Sequence, residues 1–192
     1  MNEIINMRDK LHYINGLINL IDIVYAKTLT QLTMIEVGSY QGESMEIFVN
    51  TGKVKTIACI DPWKSGYDKK DRSSYTDMSI VENKFNERKS ALDSIAKIIK
   101  HKGTLDTFIV SDDYKQFTNE NSIDLVYIDA CHRYKSCLHD ITICKNIIKP
   151  KIAISGHDYT KRKPGVVSAV NKIFGRPDCI FSDKSWINFS TV

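Results

Sequence analysis

The run Ile35-Glu36-Val37-Gly38-Ser39-Tyr40-Gln41-Gly42-Glu43-Ser44 constrains this chain more than any other stretch. With Leu32-Thr33 before it, the segment Met34 to Val37 reads as a short buried strand. The residues from Ser44 to Val49 read as the opening of a helix. A strand that ends in a carboxylate, turns through two glycines and enters a helix makes a small-molecule pocket. Gly38 can take backbone angles closed to other residues, and Gly42 lets helix and ligand approach closely. The helix N-terminus adds free N–H groups and a partial positive charge. An ordinary strand-to-helix turn can hold two glycines as well, so the rest of the chain must decide.

The dinucleotide fingerprint G-x-G-x-x-G fails here, because the glycines stand as G-x-x-x-G with Tyr40 between them. The P-loop fails too, since no Gly-Lys-Ser/Thr follows. The stretch resembles the glycine-rich loop of class I S-adenosylmethionine-dependent methyltransferases, Glu/Asp-x-Gly-x-Gly-x-Gly. It is filled here by Glu36, Gly38, Tyr40 and Gly42. The resemblance implies that Glu36, Gly38, Ser39 and Gly42 surround the amino-acid part of the cofactor.

Bulk properties bound the alternatives. With 192 residues, 42% of them hydrophobic and 26% charged, the chain suits one globular domain with a sizeable core. No apolar run is long enough to span a bilayer, so no membrane partner is expected. Glu3, Arg8 and Asp9 break the apolar N-terminus, unlike a signal peptide, and a cytoplasmic location is expected. A net charge of +4 falls short of a nucleic-acid footprint, so no nucleic acid is expected. Cys59, Cys131, Cys137, Cys144 and Cys179 are odd in number and include no C-x-x-C. They read as reduced, buried residues rather than a disulfide or zinc framework.

Helical and strand patterns alternate along the chain. From about residue 3 to 26, Ile4, Met7, Leu11, Ile14, Ile18 and Ile21 recur at helical spacing, with Gly16 offering a break into two helices. This sets off an N-terminal helical segment (1–30) from the main domain (31–192). Gly52 is a C-cap for the helix after the glycine turn. Thr56-Ile57-Ala58-Cys59-Ile60-Asp61-Pro62 reads as a second buried strand. It delivers Asp61 to the rim where ligands bind in open parallel sheets. An acid there can accept hydrogen bonds from two ribose hydroxyls, or cap a turn. Residues 64–76 form a long polar and aromatic loop with the character of a lid. Val81, Phe85, Leu92, Ile95 and Ile99 predict one long helix ended by Gly103, and Phe108-Ile109-Val110 a third strand. Ser111 and Asp112 then stand at a strand end. They either bond the adenine amino group, as the resemblance implies, or cap the next helix.

The stretch from Ile123 to Tyr134 reads as a strand delivering Asp129, with His132 in the following loop. The next helix carries Cys137, Ile141, Cys144 and Ile148 on its apolar face and stops before Pro150. Ile152-Ala153-Ile154-Ser155 is another strand, with Gly156-His157-Asp158-Tyr159 at its end. Asp129, His132, His157 and Asp158 therefore meet at one sheet edge. The basic run Lys161-Arg162-Lys163 reads as a solvated turn in preference to a phosphate site. Val166 to Phe174 is a helix, and Cys179–Ser182 and Trp186–Thr191 form a closing hairpin.

D-L-V-Y-I-D-x-x-H-x-Y and G-H-D-Y sharpen the resemblance. From Thr33 to Tyr159 the chain looks like the branch holding macrocin-type and cephalosporin-cluster O-methyltransferases and related sugar methyltransferases. The implied fold is α/β: a Rossmann-like, doubly wound, seven-stranded sheet, mostly parallel with an antiparallel C-terminal strand and helices on both faces. The implied activity is S-adenosylmethionine-dependent methylation of a hydroxyl on a small molecule or sugar. The alternative is a catalytically silent module that binds S-adenosylmethionine or a nucleotide for regulation or assembly. The resemblance implies Asp129 and Asp158 as ligands of Mg²⁺ or another divalent cation, with Asp129 also near the cofactor. His157 or His132 can serve as a base. The fourth strand end reads Asp129-Ala130-Cys131-His132, not the Asn/Asp-Pro-Pro-aromatic of amino-methyltransferases of nucleic acids, so base N-methylation is disfavoured. The expected partner is a small-molecule or sugar hydroxyl acceptor, and a homo-oligomer is left open.

Overall fold

Leu32–Val37 (β1) is buried at every position and lies inside the sheet, paired with a parallel strand on each side. The computed structural model describes residues 2–68, 71–120 and 122–190, the side chains of 2–9, 72 and 120 excepted. Six further strands join β1: Val54–Asp61 (β2), Lys97–Lys102 (β3), Leu125–Ile128 (β4), Ala153–Gly156 (β5), Cys179–Ile180 (β6) and Trp186–Phe189 (β7). Their order across the sheet is β3-β2-β1-β4-β5-β7-β6. The first five run parallel, β7 is antiparallel to β5, and β6 is antiparallel to β7. The expected doubly wound sheet is therefore present. The chain winds outward from β1 to β3, then returns to place β4 on the other side of β1. This reversal leaves a crevice at the C-terminal ends of β1 and β4, where open α/β sheets bind ligands.

Helices cover both faces: Asn2–Thr28 (α1), Glu43–Asn50 (α2), Met78–Leu92 (α3), Leu105–Ile109 (α4), Asp112–Glu120 (α5), Tyr134–Ile143 (α6) and Pro164–Phe174 (α7). Strand alternation sorts β1 between two cores. Leu32 and Met34 pack with Leu17, Leu20, Phe48 and Phe85 from α1, α2 and α3. Ile35 and Val37 pack with Phe108, Phe117, Ile141 and Val170 from α4 to α7. A side chain such as Phe48, fully buried, contributes about 1.5–3 kcal/mol by leaving water.

Several expectations are corrected. Gly16 does not divide α1, which is continuous. A Cβ at Gly16 would lie 2.1 Å from Asp183 Oδ1, so the glycine makes room for the β6–β7 hairpin. The buried face of α1 is Leu17, Leu20, Ile21 and Val24, whereas Leu11 is exposed; Ile4 and Met7 lie outside the described side chains. Ile99 belongs not to a long helix but to β3, an edge strand rich in lysine, and the preceding helix stops at Leu92. Phe108-Ile109-Val110 is not a strand either. It falls on α4 and its C-cap, and α4 is started by a reciprocal Thr104–Thr107 capping box. The last strand ends at Phe189, and Thr191 lies outside the described residues.

Candidate functional site

The turn after β1 keeps a left-handed backbone at all three motif positions: Gly38 at φ +92°, Tyr40 at +45° and Gly42 at +80°. A non-glycine residue there costs about 1–2 kcal/mol. Two bonds hold Tyr40 in place: its N–H donates to Asp61 Oδ2 at 2.9 Å, and its carbonyl accepts from the Trp63 indole N–H at 2.8 Å. Asp61 Oδ1 accepts the Trp63 N–H at 2.7 Å. Burial pushes the Asp61 carboxyl above its usual value, against the pull of those two N–H donors. Gly38 faces protein rather than open space. A Cβ there would lie 2.1 Å from the Asp129 carbonyl oxygen. The Asp129 N–H donates to Val37 O at 2.8 Å, which locks the ends of β1 and β4 together.

Glu36 points away from the crevice toward α2 and is completely buried. Ser44 Oγ donates to its Oε1 at 2.5 Å, and its Oε2 has no hydrogen-bond partner. Burial pushes its pKa up to about 7, and the Ser44 hydrogen bond only partly offsets this. Ser39 Oγ is likewise buried without a partner.

The ends of β4 and β5 bring the predicted acids and histidines together. His132 Nε2 lies 2.9 Å from Asp158 Oδ2 and 4.0 Å from Asp129 Oδ1. His157 Nδ1 lies 3.5 Å from Asp158 Oδ1 and 3.9 Å from Asp129 Oδ2. Its Nε2 faces the buried Asp183 at 3.7 Å. Burial opposes charge on His132, yet the Asp158 hydrogen bond and the Asp129 carboxylate outweigh it and raise its pKa. Asp158 is burdened by the same burial, but its His132 hydrogen bond holds it below the usual range. Burial raises Asp129, against the pull of His157. Asp129, His132 and Asp158 offer ligand atoms all within 4.8 Å of one another, a set able to hold a divalent cation.

These groups line one cavity of about 560 Å³ together with Gly38, Ser39 and Asp61. Ser111 and Asp112 are not on its wall. Ser111 Oγ accepts the Tyr114 N–H at 3.2 Å, and Asp112 sits in the first turn of α5. Ser111 thus caps α5, whereas the Asp112 carboxylate accepts from Lys115 Nζ at 2.8 Å. The strand end that reaches the cavity is that of β3, through Gly103, Thr104, Leu105 and Asp106.

Several wall residues escaped sequence reasoning. Tyr13 of α1 meets the His157 ring edge-on at 5.7 Å between centroids. Asp68 and Asp71 come from the predicted lid: the His132 N–H donates to Asp68 Oδ2 at 3.0 Å, and Lys163 Nζ donates to Asp71 Oδ2 at 3.1 Å. Lys163 also lies 3.1 Å from His132 Nδ1, so one residue of the basic run is not a solvated turn but part of the site. Only the lid character of residues 64–76 hinted at these contacts.

A family model described as a methyltransferase domain matches residues 35–159. The chain belongs to that family. A relative of this methyltransferase domain, the uncharacterized protein R132 of Acanthamoeba polyphaga mimivirus, is 26% identical over 144 residues. That match covers 74% of this chain and 59% of the relative, so the domain spans less than two thirds of the relative's length. Solved structures share the fold. CalS11, a TDP-rhamnose 3'-O-methyltransferase of calicheamicin biosynthesis, aligns with a TM-score of 0.50 at 13% identity over 82% of this chain and 69% of its own. The delta-N METTL16 methyltransferase domain aligns at 0.52 and 11% identity, over 91% and 81%. A second crystal form of the METTL16 domain aligns at 0.51 and 14%, over 93% and 65%. One fold thus serves both CalS11 and METTL16 and sets no limit on the class of acceptor. The expectation that no nucleic acid is a partner does not stand.

Proposed function

We propose that this domain transfers a methyl group from S-adenosylmethionine to a hydroxyl, as in the O-methyltransferase branch it resembles. The observation that carries the reading is convergence: the β1 turn, Asp61 and the Asp129–His132–His157–Asp158 cluster open into one cavity. The cofactor, when bound, supplies a methyl on a sulfonium, and the sulfur leaves as a neutral thioether when an acceptor oxygen bonds the methyl.

The residues present fit that cofactor. Ser39 Oγ, buried and unpartnered on the cavity wall, is satisfied by its amino-acid group. Each Asp61 oxygen accepts one backbone N–H and keeps a lone pair for a ribose hydroxyl. Thr104 and Asp106, where β3 runs into α4, would take the adenine end in place of Ser111 and Asp112. On the acceptor side, His157 Nδ1 faces the cavity cluster and takes the hydroxyl proton, while Asp129 and Asp158 surround the imidazolium that forms. His132 is engaged on both ring nitrogens and is the weaker candidate base. A divalent cation would be held by Asp129, His132 and Asp158 and would lower the acceptor hydroxyl's pKa.

The test is transfer of radiolabelled methyl from S-adenosylmethionine to pooled hydroxyl acceptors, nucleic acids included, with S-adenosylhomocysteine release as the second readout. Cofactor binding with no product in any pool would favour the silent module instead.

A further inference from the structure

The mouth of the cavity is acidic inside and basic outside. Asp61, Asp68, Asp71, Asp129 and Asp158 line the wall, each buried or half-buried. Three segments around them present exposed cations: Lys64 after β2, Arg133 and Lys135 at the start of α6, and Lys161 and Arg162 after β5; Lys64 and Lys135 reach the cavity edge itself. The last two segments are in close contact, because a Cβ at Gly165 would lie 2.3 Å from His132 O and 2.7 Å from Tyr134 N. Arg133 joins the lid to them, donating to the Tyr67 carbonyl at 3.4 Å. Lys64, Lys135, Lys161 and Arg162 are exposed and form no ion pair among the described residues. Two exposed acids of the cavity edge are paired, Asp106 with His139 and Glu43 with Arg88. Tyrosines stand among the cations: Tyr134, between Arg133 and Lys135, is 40% exposed, and Tyr67 is 44% exposed.

Exposed cations interleaved with exposed aromatic rings are the device by which proteins hold single strands, through phosphate contacts and base stacking. A free sugar would need neither. Resting on the methyl-transfer reading above, we infer that the acceptor hydroxyl is the ribose 2′-hydroxyl of a single-stranded RNA whose backbone lies on this basic rim. A single strand can turn one nucleotide inward, which a duplex resists. The ribose oxygen bonds the methyl carbon, the carbon–sulfur bond breaks with its electron pair on sulfur, and the hydroxyl proton passes to His157. The absence of a Pro-Pro-aromatic run after Asp129 argues against a base amine as the acceptor.

Anisotropy with a labelled RNA of about 12 nucleotides tests this, alongside a nucleoside-diphosphate sugar by calorimetry. The wild type binds the RNA, and the double variant Lys161→Glu/Arg162→Glu binds it at least about tenfold more weakly, with the salt slope smaller by about one or more. Tyr134→Ala weakens binding by about five- to a hundredfold. Lys55→Glu/Lys151→Glu, exposed and at the opposite end of the sheet, leaves it unchanged. Methylated RNA resists alkaline cleavage at the modified linkage. S-adenosylhomocysteine binding, measured on each protein, separates the two readings. If it persists while RNA does not bind, only the RNA inference falls; if wild type binds neither, both fall. Binding of the nucleotide sugar alone, equal weakening by the control variant, or alkali-labile product also overturns it.

Discussion

The Tyr40 N–H donates to Asp61 Oδ2 at 2.9 Å, so the carboxylate at the end of β2 holds the turn that leaves β1. Asp61 thus shapes the loop, and in the methyl-transfer reading proposed above it also faces the ribose. Asp61→Ala should weaken S-adenosylhomocysteine binding by about ten- to a thousandfold, since hydrogen bonds to a charged group contribute about 1.5–3 kcal/mol each. It should also lower the melting temperature, because Tyr40 and Trp63 lose their acceptor. Calorimetry and thermal melts check both; a variant with wild-type affinity removes Asp61 from the site.

Gly38 has the left-handed backbone angles that the sequence suggested, and a side chain there would meet the Asp129 carbonyl first. Gly38→Val should therefore destabilise the fold as well as abolish binding, because β1 and β4 cannot keep their Val37–Asp129 hydrogen bond. Gly42→Ala should be milder. Its Cβ would meet the Met45 and Phe85 side chains at 3.0 Å, and these can yield where backbone cannot. Urea melts rank the two; equal losses would contradict the geometry.

Much of this was legible in sequence, for one physical reason. β1, β2, β4 and β5 are buried on both faces and so read as apolar runs, and β2, β4 and β5 lead directly into Asp61, Asp129 and His157 at the crevice. β3 is an edge strand, and its Lys97, Lys100 and Lys102 hid it, while Ile99 continued the helical spacing of Val81 and Phe85. Misplacing β3 put Ser111 at the end of the third strand, where the structure has Gly103 and Thr104 on the cavity wall. The Thr104–Thr107 box was the overlooked signal, because its partner is threonine rather than the usual Glu or Gln. Lys163, Asp71 and Tyr13 reach the site only through tertiary packing, which no local pattern records.

Asp106 and Asp112 give a direct contrast. Asp106→Ala should weaken S-adenosylhomocysteine binding several-fold, whereas Asp112→Ala, outside the cavity, should leave it unchanged. The reverse order in calorimetry would return the adenine end to α5.

Glu36 predicts a pH dependence of stability. Its pKa rises from 4.5 to about 7 on burial. Between those values the folded state holds a proton that the unfolded state has lost, so stability falls as pH rises. Its contribution is complete below the lower value and is lost as pH passes the upper one, a span worth a few kcal/mol, about 1.4 per unit. Glu36→Gln cannot ionise and should flatten this decline in denaturant titrations across pH 5 to 8. An unaltered slope would show that Glu36 does not cause it.

Metal removal tests the cluster at the ends of β4 and β5. Asp129, His132 and Asp158 could hold a divalent cation, but Asp158 already accepts from His132 at 2.9 Å and has Lys163 Nζ 3.7 Å away. The lysine ammonium and an ion therefore compete for one carboxylate. If the ion is required, chelation should slow turnover at least about tenfold, and Mg²⁺ or Mn²⁺ should restore it, as expected for a bound cation that activates a hydroxyl. Adding Mn²⁺ should raise the melting temperature of the wild type but not of Asp129→Asn or Asp158→Asn. Lys163→Met, which removes the competitor, should bind Mn²⁺ more tightly than the wild type. Turnover unchanged by chelation, together with no Mn²⁺-dependent shift in wild type or Lys163→Met, would eliminate the ion. Proton removal would then rest with His157, and His157→Ala should slow turnover by about a hundredfold or more while cofactor affinity holds.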